Sequence, residues 1–304
     1  MIANIDYYHP TILINMGNIK MKGYLFILSV ATALPFTATA TQHEHHSVAD
    51  KVINEQRIEL QESTVGKGFG PQSPRDIDQL SGSNPQLFTK APAYTEMNLC
   101  NIHFHKNAEH KGGEFTEYAG NGDGKGNNSG YKYSGTLSHE ELLPTQTEIG
   151  KNTHGSLVSG DTIEVHYVYS TATVTPGPTL GSCLTSATKN PQLRVETQVL
   201  VLVNDKQALN FIQLTQNAKR GTFQQAINIP NHAGTPVEYL GSTTGPGYNK
   251  IGSPFQVTWS VRPKVLKVDI NTVDKWLQAN IYQEDHAHGV RNLVINPALL
   301  SNIK

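Results

Sequence analysis

Met97-Asn98-Leu99-Cys100-Asn101-Ile102-His103-Phe104-His105 decides how this chain is read. Apolar, β-branched and aromatic residues alternate with polar ones through it, the period of a strand. Residues two apart in a strand share a face, so His103 and His105 point the same way. On a helix they would lie about 200° apart and could not converge on one ion. A second strand is read at 161–170, Asp-Thr-Ile-Glu-Val-His-Tyr-Val-Tyr-Ser, with His166 at its middle and Glu164 two positions before it on the same face. A third at 194–203 is apolar enough to be central, and 254–270 holds one or two more, with Val257, Trp259 and Val261 on one face. One short helix is expected at 271–281, capped by Asn271 or Thr272. The fold expected is mainly β (α+β): a single domain on a large, twisted, mostly antiparallel central sheet with a few short peripheral helices.

Three neutral imidazoles with an open fourth position are the catalytic form of a Zn2+ site, whereas structural zinc sites are closed by a fourth protein ligand. His103, His105 and His166 can form such a set, although a His-Phe-His strand by itself also fits surface histidines. A ligating imidazole gives its other N–H to a carboxylate or carbonyl, and Asn101 and Glu164 are spaced for that role. A solvated charge on an edge strand is the alternative for Glu164, but an acidic residue inside an apolar strand is costly without a polar partner.

With 304 residues, 37% hydrophobic and 16% charged, the chain can bury a sizeable core. Its net charge of −1 argues against a nucleic-acid or anionic-membrane partner. No strand is followed by a Gly-rich phosphate turn and helix, which excludes the common nucleotide sites. Residues 1–20 read as an upstream extension and 21–40 as a secretory signal peptide: Met21-Lys22, an apolar stretch from Leu25 to Phe36, then Ala38-Thr39-Ala40. A secreted or periplasmic protein with no membrane attachment after cleavage is therefore expected, with an N-terminal anchor helix as the lesser alternative. Residues 41–70 are a polar N-terminal segment in which His43, His45 and His46 either scavenge metal or belong to a terminal tail. The domain proper is placed at 71–304. In an oxidising compartment Cys100 and Cys183 are expected to form a disulfide, with two buried thiols as the alternative. Cys100, three residues before His103, is expected on the opposite strand face. Residues 119–135 form a long Gly/Asn loop lacking the period of a β-helix repeat. His139-Glu140-Glu141-Leu142-Leu143 begins like a zinc-protease helix but ends in Leu. His286 and His288 make a second His-x-His pair, for which a metal role is the lesser reading.

The ordered motifs carry a family resemblance. His103-Phe104-His105-Lys106-Asn107-Ala108-Glu109-His110 resembles the metal strand of α-type carbonic anhydrases, and Glu164-Val165-His166-Tyr167-Val168 resembles the strand bearing their third histidine. Pro71-Gln72-Ser73-Pro74 and Tyr239-Leu240-Gly241-Ser242-Thr243-Thr244-Gly245-Pro246, followed by Val257-Thr258-Trp259, are similar to further family segments. Met97–His103 and His288–Leu293 look closer to the δ-type, diatom-like branch and its bacterial relatives. The resemblance implies zinc on His103, His105 and His166, and reversible hydration of CO2 to bicarbonate and a proton by a zinc-bound hydroxide. It implies that Thr244 accepts a hydrogen bond from that hydroxide and passes its own proton to Glu109. Asn101 and Glu164 would orient ligands, His110 and Tyr239 would support the site from beneath, and Val168, Val257 and Trp259, with Val199 and Thr243, would line the CO2 pocket. Thr243 is the alternative to Thr244 if the loop is aligned one residue earlier. The family's usual proton-shuttle histidine has no counterpart before the metal strand, leaving His110, His139, His154, His232 and the N-terminal cluster as candidates. A catalytically silent relative that binds a partner and a zinc esterase are the competing readings.

Overall fold

The computed structural model describes residues 47–86, 88–243 and 249–304. The expected extension at 1–20, the expected signal peptide at 21–40, the His43–His46 cluster and Thr244 lie outside the described residues. Six strands build the central sheet: β1 (Asn98–Lys106), β2 (Thr162–Ser170), β3 (Leu193–Val203), β4 (Val237–Gly241), β5 (Val257–Val261) and β6 (Leu266–Asp269). They lie in the order β1-β2-β3-β5-β4, with β6 pairing the far half of β3. The β1/β2, β2/β3 and β4/β5 pairs are antiparallel. Strands β5 and β6 run parallel to β3, at Leu193–Thr197 and Leu200–Val203 respectively. The apolar run 254–270 is thus two strands in line along one edge of β3.

Each face of the sheet has its own cluster. On one side Leu99, Ile102, Phe104, Val165, Tyr167 and Leu202 pack under the C-terminal helix (Ile270–Gln278) and its Trp276. On the other, Val168, Val195, Val199, Val257 and Trp259 surround the polar residues of β1 and β2. The alternation in β2 therefore sorts Ile163, Val165 and Tyr167 to the helical side from Glu164, His166 and Val168 on the other, and every residue of β2 is buried. All described residues fall within one compact unit.

Three local features depart from the sequence expectation. The C-terminal helix begins at Ile270 and ends at Gln278, because the Asp269 carboxylate, and not Asn271 or Thr272, accepts from Asn271 N at 3.0 Å. Asn280 then turns the chain away, donating to the carbonyls of Trp276 and Glu284. Residues 50–64 form a helix, α1, inside the segment read only as polar. Its buried stripe is Ile53, Gln56, Leu60 and Thr64, half of it polar, so the apolar period is too weak to read. Gln56 donates to the Gly124 carbonyl at 2.8 Å and accepts from Asn292 at 2.7 Å, which makes a polar core position tolerable.

The third departure is a β-bulge in β1. The register with β2 slips between Leu99 and Asn101, leaving Cys100 as the extra residue. Two consecutive side chains then face one way. Cys100 belongs to the same buried cluster as Val168, Cys183 and Trp259 on the histidine side of the sheet, not to the opposite face that simple alternation predicts. Cys100 and Cys183 form a disulfide, with Cα atoms 4.9 Å apart and both residues buried.

Candidate metal centre

The β1/β2 register sets His103 opposite His166 and His105 opposite Glu164, so the three imidazoles meet on one face. Ligand atoms of His103, His105 and His166 all lie within 4.8 Å of one another. Each ring is held from outside through its other nitrogen. His103 Nδ1 meets Asn101 Oδ1 at 2.6 Å, His105 Nδ1 meets the Gly289 carbonyl at 2.8 Å, and His166 Nε2 meets Glu164 Oε1 at 2.6 Å. All three partners are acceptors, so the ring protons sit on those outer nitrogens. The inner nitrogens, His103 Nε2, His105 Nε2 and His166 Nδ1, carry lone pairs. His103 Nε2 and His166 Nδ1 face each other at 3.3 Å. Two lone pairs turned toward each other in a buried site repel unless a cation lies between them, so the donor set fits a metal ion.

Electrostatics keep the rings neutral. Burial, reinforced by His166, His105 and His288, holds His103 well below the usual histidine range. Burial lowers His105 to about 4, against the opposing pull of Glu109. Neutral imidazole is the ligating form.

Beneath His166 lies a buried chain of hydrogen bonds. Glu164 Oε1 accepts from His166 Nε2 and also from His110 Nδ1 at 2.7 Å, while Oε2 accepts from the His110 backbone N–H at 3.1 Å. Burial alone would raise the Glu164 pKa, but His110 and His166 outweigh it and hold the carboxyl well below its usual range. Burial raises the Tyr239 phenol, which keeps its proton and stands 2.6 Å from His110 Nε2 and 2.7 Å from Ser73 Oγ. His110, Glu164 and His166 also come close enough to be considered a second metal group. There, however, both ring nitrogens already donate to the carboxylate, so hydrogen bonding accounts for the cluster.

A cleft of about 400 Å³ opens over the histidines, lined by Trp259, Thr243, Glu109, Arg291, Leu180 and His288 among others. Trp259 reaches it, held by its indole N–H donating to the Ser242 carbonyl at 2.8 Å. Val168, Val199 and Val257 are buried in the cluster behind it and do not line the cleft. Glu109 is buried, with Oε1 accepting from Arg291 N at 2.8 Å and lying 3.7 Å from His105 Nδ1. The Arg291 guanidinium donates to the Ser73 carbonyl at 2.8 Å and the Thr243 carbonyl at 3.1 Å.

Sequence reasoning missed Gly289 and Arg291 as site residues, and it gave His288 no place at this site. Their signal was the His288–Leu293 motif, but only folding shows that this segment runs along the free edge of β1. There Lys106 N donates to the His288 carbonyl and His288 N to the Phe104 carbonyl. The His288 ring lies 5.4 Å from that of His103, and its Nε2 is 2.5 Å from Glu284 Oε2. Burial opposes the charged form of His288, but Glu284 outweighs it and raises the pKa. His286 pairs with Asp285, its ring lies 6.1 Å from that of His288, and among the described residues neither belongs to a group of three or more side chains close enough to hold a metal. His139, His154 and His232 are exposed and do not line the cleft.

Among solved structures, a hyperthermostable carbonic anhydrase from an active hydrothermal vent chimney is 14% identical, with a TM-score of 0.30 and 78% of this chain and 88% of that chain covered. The α-carbonic anhydrase of Thermovibrio ammonificans, in complex with the inhibitor sulfanilamide, is 15% identical, with a TM-score of 0.27 and the same coverages. That of Photobacterium profundum is 14% identical, with a TM-score of 0.25 and coverages of 75% and 88%. No curated protein sequence matches the chain. A family model described as delta carbonic anhydrase matches residues 94–272, from just before the metal strand to the start of the C-terminal helix. That match spans more than half of the chain and includes all three converging histidines, so the chain belongs to the delta carbonic anhydrase family, whose reaction is the reversible hydration of CO2.

Proposed function

We propose that the metal is Zn2+, held by His103 Nε2, His105 Nε2 and His166 Nδ1, and that the protein works as an exported zinc carbonic anhydrase. The observation that carries this reading is the set of three imidazoles whose outer nitrogens are satisfied and whose inner lone pairs converge. Three neutral nitrogen donors with room for a fourth ligand suit zinc. Zinc bound there supplies a Lewis acid that lowers the pKa of a coordinated water to about 7.

The protein's own residues do the rest. Glu164, shared between His110 and His166, fixes the tautomer of His166 and strengthens it as a donor. Glu109, with Oε1 held by Arg291 N–H, uses its other oxygen to accept the hydroxyl proton of Thr244. That hydroxyl would then present only lone pairs to a hydrogen-bond donor in the cleft. Trp259 provides apolar wall for CO2, which has no net dipole and needs no polar anchor. Export through residues 21–40 to the periplasm or the medium accords with the Cys100–Cys183 disulfide, a bond that persists in oxidising compartments.

Metal analysis coupled to a CO2-hydration assay tests the reading. Protein purified without added metal should contain about one zinc per chain. Hydration should vanish on chelation and return with Zn2+. Hydration by metal-free protein would overturn the proposal, and ester cleavage without hydration would favour an esterase instead.

A further inference from the structure

The disulfide takes no part in the chemistry described so far, yet its surroundings lead back to the metal site. Cys100 is the bulged residue of β1, and the next residue, Asn101, carries the amide that orients His103. The segment 177–183 is laid against both. Gly177 N donates to the Cys100 carbonyl at 3.0 Å, and the Gly177 carbonyl accepts from Asn101 Nδ2 at 3.0 Å. Cys183 closes the connection covalently, and its carbonyl accepts from Ser170 Oγ of β2 at 2.7 Å. Inside the segment, Ser182 Oγ donates to the Pro178 carbonyl at 2.7 Å and Gly181 N to Thr179 Oγ1 at 3.2 Å. Thr179 sits at φ 59° and ψ 170°, a conformation that β-branched residues avoid and that persists only when the surroundings impose it. Thr179 and Leu180 of this segment also line the cleft.

An asparagine amide can be turned either way. Only one way serves His103: oxygen toward Nδ1 and nitrogen toward a separate acceptor. That acceptor is the Gly177 carbonyl. If it moves, the amide can turn its N–H toward the ring, and the proton on His103 then shifts to Nε2, where it blocks the metal.

We propose that the Cys100–Cys183 cystine is a positioning device for the ligand His103: it clamps the 177–183 segment to β1 so that the Gly177 carbonyl holds Asn101, and Asn101 holds the ring. Metal affinity then depends on the cystine although neither sulfur touches the metal. The inference rests on His103 being a ligand, so a His103→Ala control is part of its test.

The experiment titrates metal-free protein with Zn2+ against a chromophoric chelator, with near-ultraviolet circular dichroism to confirm folding. The variants are Asn101→Ala, Cys100→Ala with Cys183→Ala, and all three changes together. Losing a partner that orients a ligand typically weakens metal binding about 10- to 100-fold. The cysteine pair and Asn101→Ala are each expected to fall in that range, and the triple variant to lose no more than the worse of the two, because they act through one contact. A folded cysteine-pair variant with wild-type zinc affinity would overturn the proposal, as would losses that multiply. A cystine that only stabilised the fold would lower the melting temperature and leave zinc affinity unchanged. If the cysteine pair does not fold, Gly177→Ala carries the test with the disulfide intact. Its Cβ would lie 2.8 Å from Ser182 Oγ, so that hydroxyl must move and give up its bond to the Pro178 carbonyl inside the segment. A several-fold loss of zinc affinity is expected there, and wild-type affinity refutes the clamp. Undiminished zinc binding by His103→Ala would instead show that the ligand assignment had failed.

Discussion

Replacing Glu164 by glutamine removes one charge and one acceptor from the buried support of His166, with almost no change of shape. In the native protein Oε1 accepts two imidazole N–H groups and Oε2 accepts the His110 backbone N–H. The best orientation of the introduced amide puts its carbonyl oxygen at the Oε1 position, which turns its NH2 toward the His110 backbone N–H. The His110 backbone N–H and the amide N–H facing it are then both without an acceptor there, costing about 1–3 kcal/mol each, and two charge-assisted bonds become neutral, losing about 1 kcal/mol each. Relief from burying a carboxylate offsets part of this, so a net destabilisation of roughly 2–4 kcal/mol is expected. The effect on metal is separate. His166 keeps its tautomer but loses basicity, and zinc affinity should fall about 10- to 100-fold, or about 1.4–2.8 kcal/mol. Competition with a chromophoric chelator measures the second quantity and denaturant melts of the metal-free protein the first. A folded Glu164→Gln variant that binds zinc within twofold of wild type would refute the view that this carboxylate tunes His166.

Four further outcomes are expected. His166→Ala should lose most of its zinc, because an open site has no spare protein ligand; full zinc by mass spectrometry and atomic absorption would remove it from the ligand set. Thr244→Ala and Glu109→Gln should each slow CO2 hydration by roughly 10²- to 10³-fold with zinc retained. A silent Thr244→Ala beside a damaging Thr243→Ala would move the role one residue earlier. Hydration should rise steeply with the concentration of an imidazole-type buffer, because His139, His154 and His232 stand outside the cleft; a buffer-independent rate abolished in His288→Ala would show an internal route instead. Glu238 is paired with Arg194 and Lys90, which outweigh burial and hold its pKa below the ordinary glutamate value. A depressed carboxyl contributes stability above its unfolded pKa of about 4.3 and loses it as pH falls through the folded value. Glu238→Gln should therefore destabilise by about 1–2 kcal/mol at pH 7, and the difference from wild type should shrink below about pH 4; an equal difference at pH 3 would rule out the ion pairs as its cause.

Much of the site was legible along the chain because strand chemistry has a period of two. His103 and His105 share a face whatever the rest of the fold does, and Asn101 and Glu164 sit two residues before the histidines they orient. Where the local rule broke, a tertiary contact had overridden it. The bulge at Cys100 shifts the alternation by one residue, and nothing in Leu99-Cys100-Asn101 announces it. Helix α1 escaped because Gln56 and Thr64 occupy its buried stripe, and polar core positions become readable only once Gly124 and Asn292 are seen to satisfy them. Gly289 escaped because its contribution is a backbone carbonyl, which every residue has.

The amino-acid sequence by itself determined the strands, the kind of ligand and the two-residue relation between each orienting group and its histidine. These are properties of neighbouring residues and of their chemistry. Only the tertiary structure decided that His103 faces His166, that the 288–291 segment returns from near the C-terminus to hold His105 and Glu109, and that the cystine lies on the metal side of the sheet. Those pairings join residues 63 to 184 positions apart. They follow from which faces must be buried together and which buried donors must find acceptors, and both conditions belong to the whole fold.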